Sequence, residues 1–407
     1  MSKIDEFGGI RMFVRACPGC GGPRGHRLFE QHFARIEGVS IMDGYDVVTC
    51  GVCGVCFADK IPEQADFDRY YRDGSKYEGT GKSAELPRAT LRRFEQEVSD
   101  IERYLPTRSL RVLEVGCATG AMLGMLRDRG YSNVVGLDPS PGCAAAAWEN
   151  YRVKVRVGDL SDARLIPDGE TGYDMIILIA VLEHVRDIAA VLRTLRAALS
   201  PGGLLYIEIP NAGGWVRNVD APFQEFSVEH INYLSANSLA ALARCNGFEV
   251  VDLLERDRAH NDEVTAPVAA SVLKASEKVE PIVPEHATAA TITAYIETSH
   301  RRERAIRDFV AELARRAEPL IVWGCGTLTL RLLATSELGR VPIAAFVDGN
   351  SRYWGKTING IRILAPEEVS GRSESILVSS IGHQADIARH IRDQLSYPHP
   401  VLTYPAV

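Results

Sequence analysis

Glu114, Gly116 and Gly120 close one apolar run, and Asp138 closes the next. Between Leu110 and Asp138 the first run ends in Glu-Val-Gly-Cys-Ala-Thr-Gly. An amphipathic stretch follows from Ala121 to Arg129, Gly130 stops it, and Val134 to Leu137 is apolar again. That order reads as strand, glycine turn, helix, strand, the first half of a doubly wound α/β sheet. The two glycines permit a tight turn and let a ligand approach bare backbone. Helix N-terminal amides sit behind the turn, which itself contains nothing basic. Asp138, at the tip of the second strand, can accept hydrogen bonds from two ribose hydroxyls. A dinucleotide fold wants Gly-x-Gly-x-x-Gly, and Ala118 stands where the middle glycine lets a pyrophosphate come close. The stretch matches Glu-x-Gly-x-x-x-Gly throughout.

Three other groups could do chemistry. Cys17-Pro-Gly-Cys20 and Cys50-Gly-Val-Cys53 are two knuckles, each placing two thiolates on a tight turn. Together they make a four-cysteine tetrahedral zinc site of the structural kind. Cys56 reads as a buried spectator, and His26 and His32 as surface residues. Glu229-His230 offers a base that titrates near neutrality beside an acid. His184 follows Glu183 just past a strand, where open α/β sheets place their ligands.

The elements that carry these residues follow from periodicity. Leu91, Phe94, Val98 and Ile101 make a helix from Pro87 to Leu105. Gly158-Asp159-Leu160 reads as a third strand tip, Tyr173 to Leu178 as a fourth strand and Leu204 to Ile209 as a fifth. Ile188, Val191, Leu192, Leu195 and Leu199 face a core. Ser235 caps a helix from about Ala236 to Asn246, which Gly247 ends. A charged helix runs from about Glu285 to Arg316. The last segment restarts an α/β pattern at Leu320, with a Gly324-Cys-Gly turn and Asp348 closing its second strand. Tyr70, Tyr71 and Tyr77 crowd a polar stretch that reads as a packed loop or a lid, with Tyr77 as an active-site candidate.

Composition bounds the function. The chain has 407 residues, so two or three domains. A net charge of -7 argues against a nucleic-acid or anionic-membrane partner. No apolar run approaches the roughly 20 residues of a membrane span, and the N-terminus has no apolar signal core. Nine cysteines, five of them before residue 57, are metal-site usage in a reducing compartment, so a cytoplasmic protein is expected.

The central stretch resembles the class I S-adenosylmethionine (SAM) methyltransferases. The resemblance continues through Gly158-Asp159-Leu160, Tyr173 to Leu178, Val181-Leu-Glu-His-Val185 and Ser200-Pro-Gly-Gly203. It implies SAM held by Glu114, Gly116, Cys117, Ala118, Gly120, Asp138, Pro139, Asp159 and Leu160. The whole chain is similar to the C-methyltransferases of nucleotide-linked deoxysugars, with Cys17, Cys20, Cys50 and Cys53, Glu229-His230 and the Asp348 to Glu367 segment as carriers. That resemblance implies an α/β architecture: a zinc-binding module over 1–62, a lid and helical linker over 63–108, a Rossmann-like methyltransferase sheet over 109–255, a linker with the long helix over 256–317, and a smaller Rossmann-like domain over 318–407. It implies catalytic roles for Glu229 and His230, with Tyr77 and His184 beside them. The acceptor would be a small molecule, a sugar or nucleotide-linked sugar, and the chain a monomer or homodimer. Ser227 stands where the family often has Tyr, and Ala180 where it often has Asn. C- and O-methylation both stay open, as does an NAD-dependent sugar oxidoreductase of another class.

Overall fold

The computed structural model describes residues 9–73, 86–160, 165–166, 171–217, 219, 221–259, 264–398 and 400–405. The chain forms two compact units. One takes in residues 1–28, 48–218 and 231–292, the other residues 29–47, 219–230 and 293–407.

The chain begins on strands β1 (Arg11–Met12), β2 (Arg24–His32), β3 (Gly44–Cys50) and β4 (Cys56–Asp59), of which residues 29–32 of β2 and 44–47 of β3 fall in the second unit. Two helices follow, α1 (Gln64–Asp73) and α2 (Arg88–Glu102). The tyrosine-rich stretch expected as a loop is therefore helical. Phe67, Tyr70 and Tyr71 fall at i, i+3 and i+4, which puts them on one face, and Phe67 is buried.

Strand and helix then alternate: β5 (Val112–Val115), α3 (Ala121–Asp128), β6 (Val134–Asp138), α4 (Pro141–Tyr151), β7 (Lys154–Val157), β8 (Tyr173–Ile179), α5 (Ile188–Ala198) and β9 (Leu199–Pro210). After β10 (Asn232–Tyr233) and α6 (Ala236–Cys245), the unit adds β11 (Phe248–Ala259) and β12 (Thr265–Ala275). Ser235 caps α6 as expected, accepting from the Ser238 N–H.

The large sheet runs β11-β12-β9-β8-β5-β6-β7. Its β5 to β9 members pair in parallel, and β12 pairs antiparallel with β9 and β11. Central strands read as continuous apolar runs because both faces are covered. Leu113, Val115, Ile176 and Leu178 face one core, and Val112, Met175 and Ile177 face the other. The alternation is the period of two that a pleated strand imposes. β5 has β6 on one side and β8 on the other, so the strand order reverses there, and ligands of such sheets bind outside the C-terminal tips at that point. The small sheet runs β1-β2-β3-β4-β10.

The second unit contains α7 (Ala287–Arg316) from Thr293 onward, β13 (Leu320–Trp323), α8 (Thr327–Thr335), β14 (Ile343–Val347), β15 (Thr357–Ile358), β16 (Ile361–Leu364), β17 (Ser375–Val378) and β18 (Val401–Thr403). Its sheet runs β15-β16-β14-β13-β17-β18. Arg331 on α8 is buried against Glu303 on α7 at 2.9 Å, with its guanidinium 3.9 Å from the Phe223 ring. No helix among the described residues is long and apolar enough to cross a membrane.

A buried ionic layer backs the large sheet. Arg258 on β11 grips Glu208 on β9 with two bonds, 3.1 and 2.6 Å, and Asp100 on α2 at 2.7 Å. Tyr206 donates to the same Glu208 at 3.0 Å. Glu208 is buried and pairs in register with Ile179 at the end of β8. Removing one partner of a buried pair strands the other charge, which costs about 3–5 kcal/mol. Arg258→Met should lower stability by that amount in urea unfolding; a loss under about 1 kcal/mol, the worth of an exposed pair, would show that Glu208 is solvated instead.

Candidate functional site

The glycine turn at the tip of β5 is held by a carboxylate from β6. The Ala118 N–H donates to Asp138 Oδ2 at 2.9 Å, and the Ser140 N–H donates to Asp138 Oδ1 at 3.0 Å. Gly116 N–H donates to Leu137 O at 2.7 Å. Ser140 then caps α4, its hydroxyl accepting from Cys143 N–H at 3.1 Å. Gly116 has φ +72°, and a Cβ there would meet the Val181 side chain at 2.5 Å. Gly120, φ +74°, is the cap of α3. Ala118 itself sits at φ +45°, a left-handed conformation that costs a non-glycine residue about 1–3 kcal/mol. Its bond to Asp138 helps hold it there.

Asp138 is thus a structural clamp as well as an acceptor. Beneath the turn lies Glu114, buried, with Oε2 lacking a hydrogen-bond partner among the described residues. Burial, reinforced by Glu97 and Asp138, pushes its carboxyl up to about 8. Glu97 on α2 is equally buried and also has an unpartnered Oε2; burial pushes it up to about 7 although Arg93 pulls it down. This pair of under-satisfied acids fits a cationic ligand group such as the ammonium of SAM.

The other cofactor positions are more peripheral. Pro139 is half-buried, and Asp159 and Leu160 lie just past β7 at intermediate exposure. Leu160 packs against the core rather than standing clear of it. The Cys117 side chain is buried in the opposite core.

His184 closes a 3₁₀ turn, Leu182–His184, beyond β8. Its Nδ1 is 3.1 Å from the Tyr71 hydroxyl, and its Nε2 is 4.0 Å from Glu183 Oε1. The amide of Asn232 donates to Leu182 O at 2.9 Å and Val185 O at 2.6 Å, and Ile231 N–H donates to Glu183 O at 2.8 Å. Arg186 reaches back to Glu63 at the start of α1, 2.9 Å away. Tyr71 is one of the crowded tyrosines of the sequence, and no spacing there singles it out; Tyr77 lies outside the described residues.

In the second unit, Glu229 and His230 lie on a turn whose amides both donate to Ser227 Oγ, at 3.3 and 3.1 Å. That explains a serine at this position: its hydroxyl builds the turn. The preceding segment is pinned by Gln31 to Phe226 O at 2.8 Å, Tyr45 to Ser227 O at 2.7 Å and Glu225 N–H to Tyr295 at 3.1 Å.

The four cysteines converge in the first unit. Cys17 and Cys53 sulfurs are 3.5 Å apart, and Cys20 and Cys50 sulfurs are 3.6 Å apart. All four lie within 4.8 Å of one another. A zinc with four thiolates at about 2.3 Å spaces its sulfurs about 3.8 Å apart, so the donor set fits that ion. Hydrogen bonding among them holds the Cys17 and Cys53 thiols up and draws Cys20 and Cys50 down. Cys56 turns away, its thiol 3.6 Å from Gly54 O.

Comparison with known proteins fits this geometry. Residues 85–253 match the family described as Methyltransferase domain, and residues 316–399 match one described as C2185-like, N-terminal. The chain is 29% identical to C-methyltransferase NovU of Streptomyces niveus over 285 residues, 67% of this chain and 66% of that protein. It is 36% identical to a ubiquinone biosynthesis O-methyltransferase of Methylobacterium nodulans over 112 residues, 26% of this chain and 43% of that protein. Among solved structures, magnesium protoporphyrin IX methyltransferase of Synechocystis with bound SAH is similar at 14% identity and TM-score 0.39, over 52% of this chain and 99% of that one. The chain thus spans slightly under two thirds of NovU and less than half of the ubiquinone enzyme. With the Glu-x-Gly-x-x-x-Gly turn at the switch point of its sheet, the segment 85–253 is a methyltransferase domain of the SAM-dependent class.

Proposed function

We propose that the chain transfers a methyl group from SAM to a carbon atom of a small acceptor, a sugar or nucleotide-linked sugar. The observation that carries the choice of carbon is the extent of likeness. The match to a C-methyltransferase takes in 67% of the chain, well past the methyltransferase domain, while that to the Methylobacterium nodulans O-methyltransferase takes in 26%. The sugar acceptor rests on the resemblance carried by the four cysteines and Glu229-His230.

SAM, when bound, supplies an electrophilic methyl group. Asp138, at the tip of β6, would hold its ribose. Glu114, with Glu97 behind it, would take its ammonium, and Asp159 would meet the adenine amine. His230 removes a proton from the carbon α to a ketone, and Glu229 orients the imidazole or holds an acceptor hydroxyl. His184 contacts the acceptor, its ring set by Tyr71. Holding the reacting atoms about 3 Å apart with water excluded is the protein's main contribution. The four cysteines hold a structural zinc.

His230→Ala should lose roughly 10²–10⁴-fold in turnover, the usual worth of general-base help, with SAM affinity retained; an unchanged rate removes His230 from the mechanism. Acceptor screening with tritiated methyl donor, followed by NMR of the product, separates a new C–C bond from an ether.

SAM affinity should depend on pH. Glu114 must lose its proton to pair with an ammonium, and its carboxyl is pushed up to about 8. Affinity measured by calorimetry should therefore rise from pH 6 to about 8 and then level off, with proton release on binding. Glu114→Gln should bind more weakly and without that rise. A flat profile in the parent chain would place the ammonium elsewhere.

Metal analysis of the chain purified without chelator should give one zinc per chain. Its removal should lower the unfolding temperature, because structural zinc contributes folding energy directly. An unfolding temperature unchanged by removal would leave four merely packed thiols.

A further inference from the structure

Arg15 lies two residues before Cys17 and is 5% exposed. Its own N–H and that of Val14 donate to Asp59 at 2.8 and 3.0 Å, so its backbone is fixed to the end of β4. Its guanidinium donates to Arg186 O at 2.7 Å, Asn232 Oδ1 at 3.0 Å and Ala58 O at 3.2 Å. It also reaches Val185 O and Ile231 O, each at 3.5 Å. These acceptors surround His184. Val185 and Arg186 follow it directly, and Asn232 and Ile231 bond the carbonyls of Leu182, Val185 and Glu183. A second bond runs from the same knuckle: Pro18 O, between two of the cysteines, accepts from Ala189 N–H at 3.1 Å, at the start of α5. The turn that carries His184 is therefore held by Arg15, just before the Cys17–Cys20 knuckle, and the helix that follows the turn is held by Pro18 within it.

We propose that Arg15 is a positioning residue through which the four-cysteine centre sets the place of His184, so that metal occupancy governs the methyl-transfer rate while leaving cofactor binding intact. The inference rests on the reading of His184 as an acceptor contact. Its physical basis is the guanidinium fork, whose several rigidly placed donors can span separate carbonyls, which a lysine ammonium cannot. Zinc at Cys17 fixes the knuckle and hence Arg15; Arg15 fixes the 182–186 turn. None of its partners belongs to the Glu114–Gly120 turn or to Asp138, so SAM binding stands outside the chain of contacts.

The test uses the full chain with ¹⁵N-labelled histidine, the His184 signal assigned by His184→Gln. In zinc-loaded Arg15→Met, zinc content and SAM affinity should be retained. The kcat should fall by roughly 10²-fold, the cost of about 1 Å of misplacement. The His184 ring-nitrogen signals should shift from their positions in the parent chain. Chelation of the parent chain should move the same signal, and chelation of Arg15→Met should move it no further. Arg15→Lys, which keeps the charge and loses the fork, should reproduce the shift and carries the test if the methionine variant does not fold. Unmoved His184 signals in both zinc-loaded variants, or equal and additive shifts on chelating parent and variant, would overturn the proposal. If the parent chain transfers no methyl group to any acceptor, the functional reading fails, while the zinc dependence of the His184 signal still judges Arg15.

Discussion

The clamp made by Asp138 is the constraint on which the site depends. One carboxylate takes an N–H from Ala118, on the turn after β5, and another from Ser140, at the head of α4 after β6. This ties two successive crossover connections together beside the point where the sheet's order reverses. It keeps Ala118 in a left-handed conformation and leaves Gly116 too close to Val181 for any side chain. It also places a carboxylate near the buried Glu114, where burial first, and then repulsion from Glu97 and Asp138, makes the Glu114 carboxyl costly to ionise. A cation relieves that cost. The turn is thus prepared electrostatically for a ligand carrying positive charge, which distinguishes it from a turn prepared for a pyrophosphate.

Local pattern made much of this legible. The glycine turn, the parallel strands, the Ser235 cap and the paired cysteines are each written within about twenty residues, where spacing and turn chemistry act. The helical state of α1 was hidden because its tyrosines and acids suit a packed loop as well as a helix, and only burial of Phe67 decides between them. The second role of Asp138 was hidden because its bonds go to backbone, which has no residue identity to read. Tyr71 and His184 are 113 residues apart in sequence, and Arg15 and Asn232 are 217 apart. No periodicity connects such positions; they meet because the fold brings them together.

The small sheet shows why the cysteines matter beyond their own loops. β4 begins three residues after Cys53, and it pairs with β10 through Tyr233 and Cys56 and through Asn232 and Phe57. Phe57 and Val55 enter the same core as α5 and α6. The knuckles, the small sheet and one face of the methyltransferase sheet therefore share a single packed interior. Close-packed interiors transmit displacement rather than absorb it. The knuckles are thus part of the domain's own core, and Arg15 is the side chain that joins them to the His184 turn.

The second unit repeats the clamp with different contents. Asp348 accepts from Cys325 N–H at 2.7 Å and from Asn350 N–H at 2.8 Å, and Gly324 N–H donates to Val347 O at 2.8 Å. Each bond has its counterpart at Asp138, Ala118, Ser140 and Gly116. The chemistry around the two turns diverges. Where β5 offers Glu114, two residues before its glycine, β13 offers Val322. The interior of the second turn is filled by its own hydroxyls: Thr329 Oγ1 lies 2.6 Å from Gly324 O and 2.7 Å from Ser379 Oγ, which in turn meets the Tyr404 hydroxyl at 2.9 Å. Those polar groups are spent on one another. The same backbone device thus serves two ends: in the first unit it frames unsatisfied acids, and in the second it closes on a network satisfied from within, so the fold alone is no guide to which turn takes a cofactor.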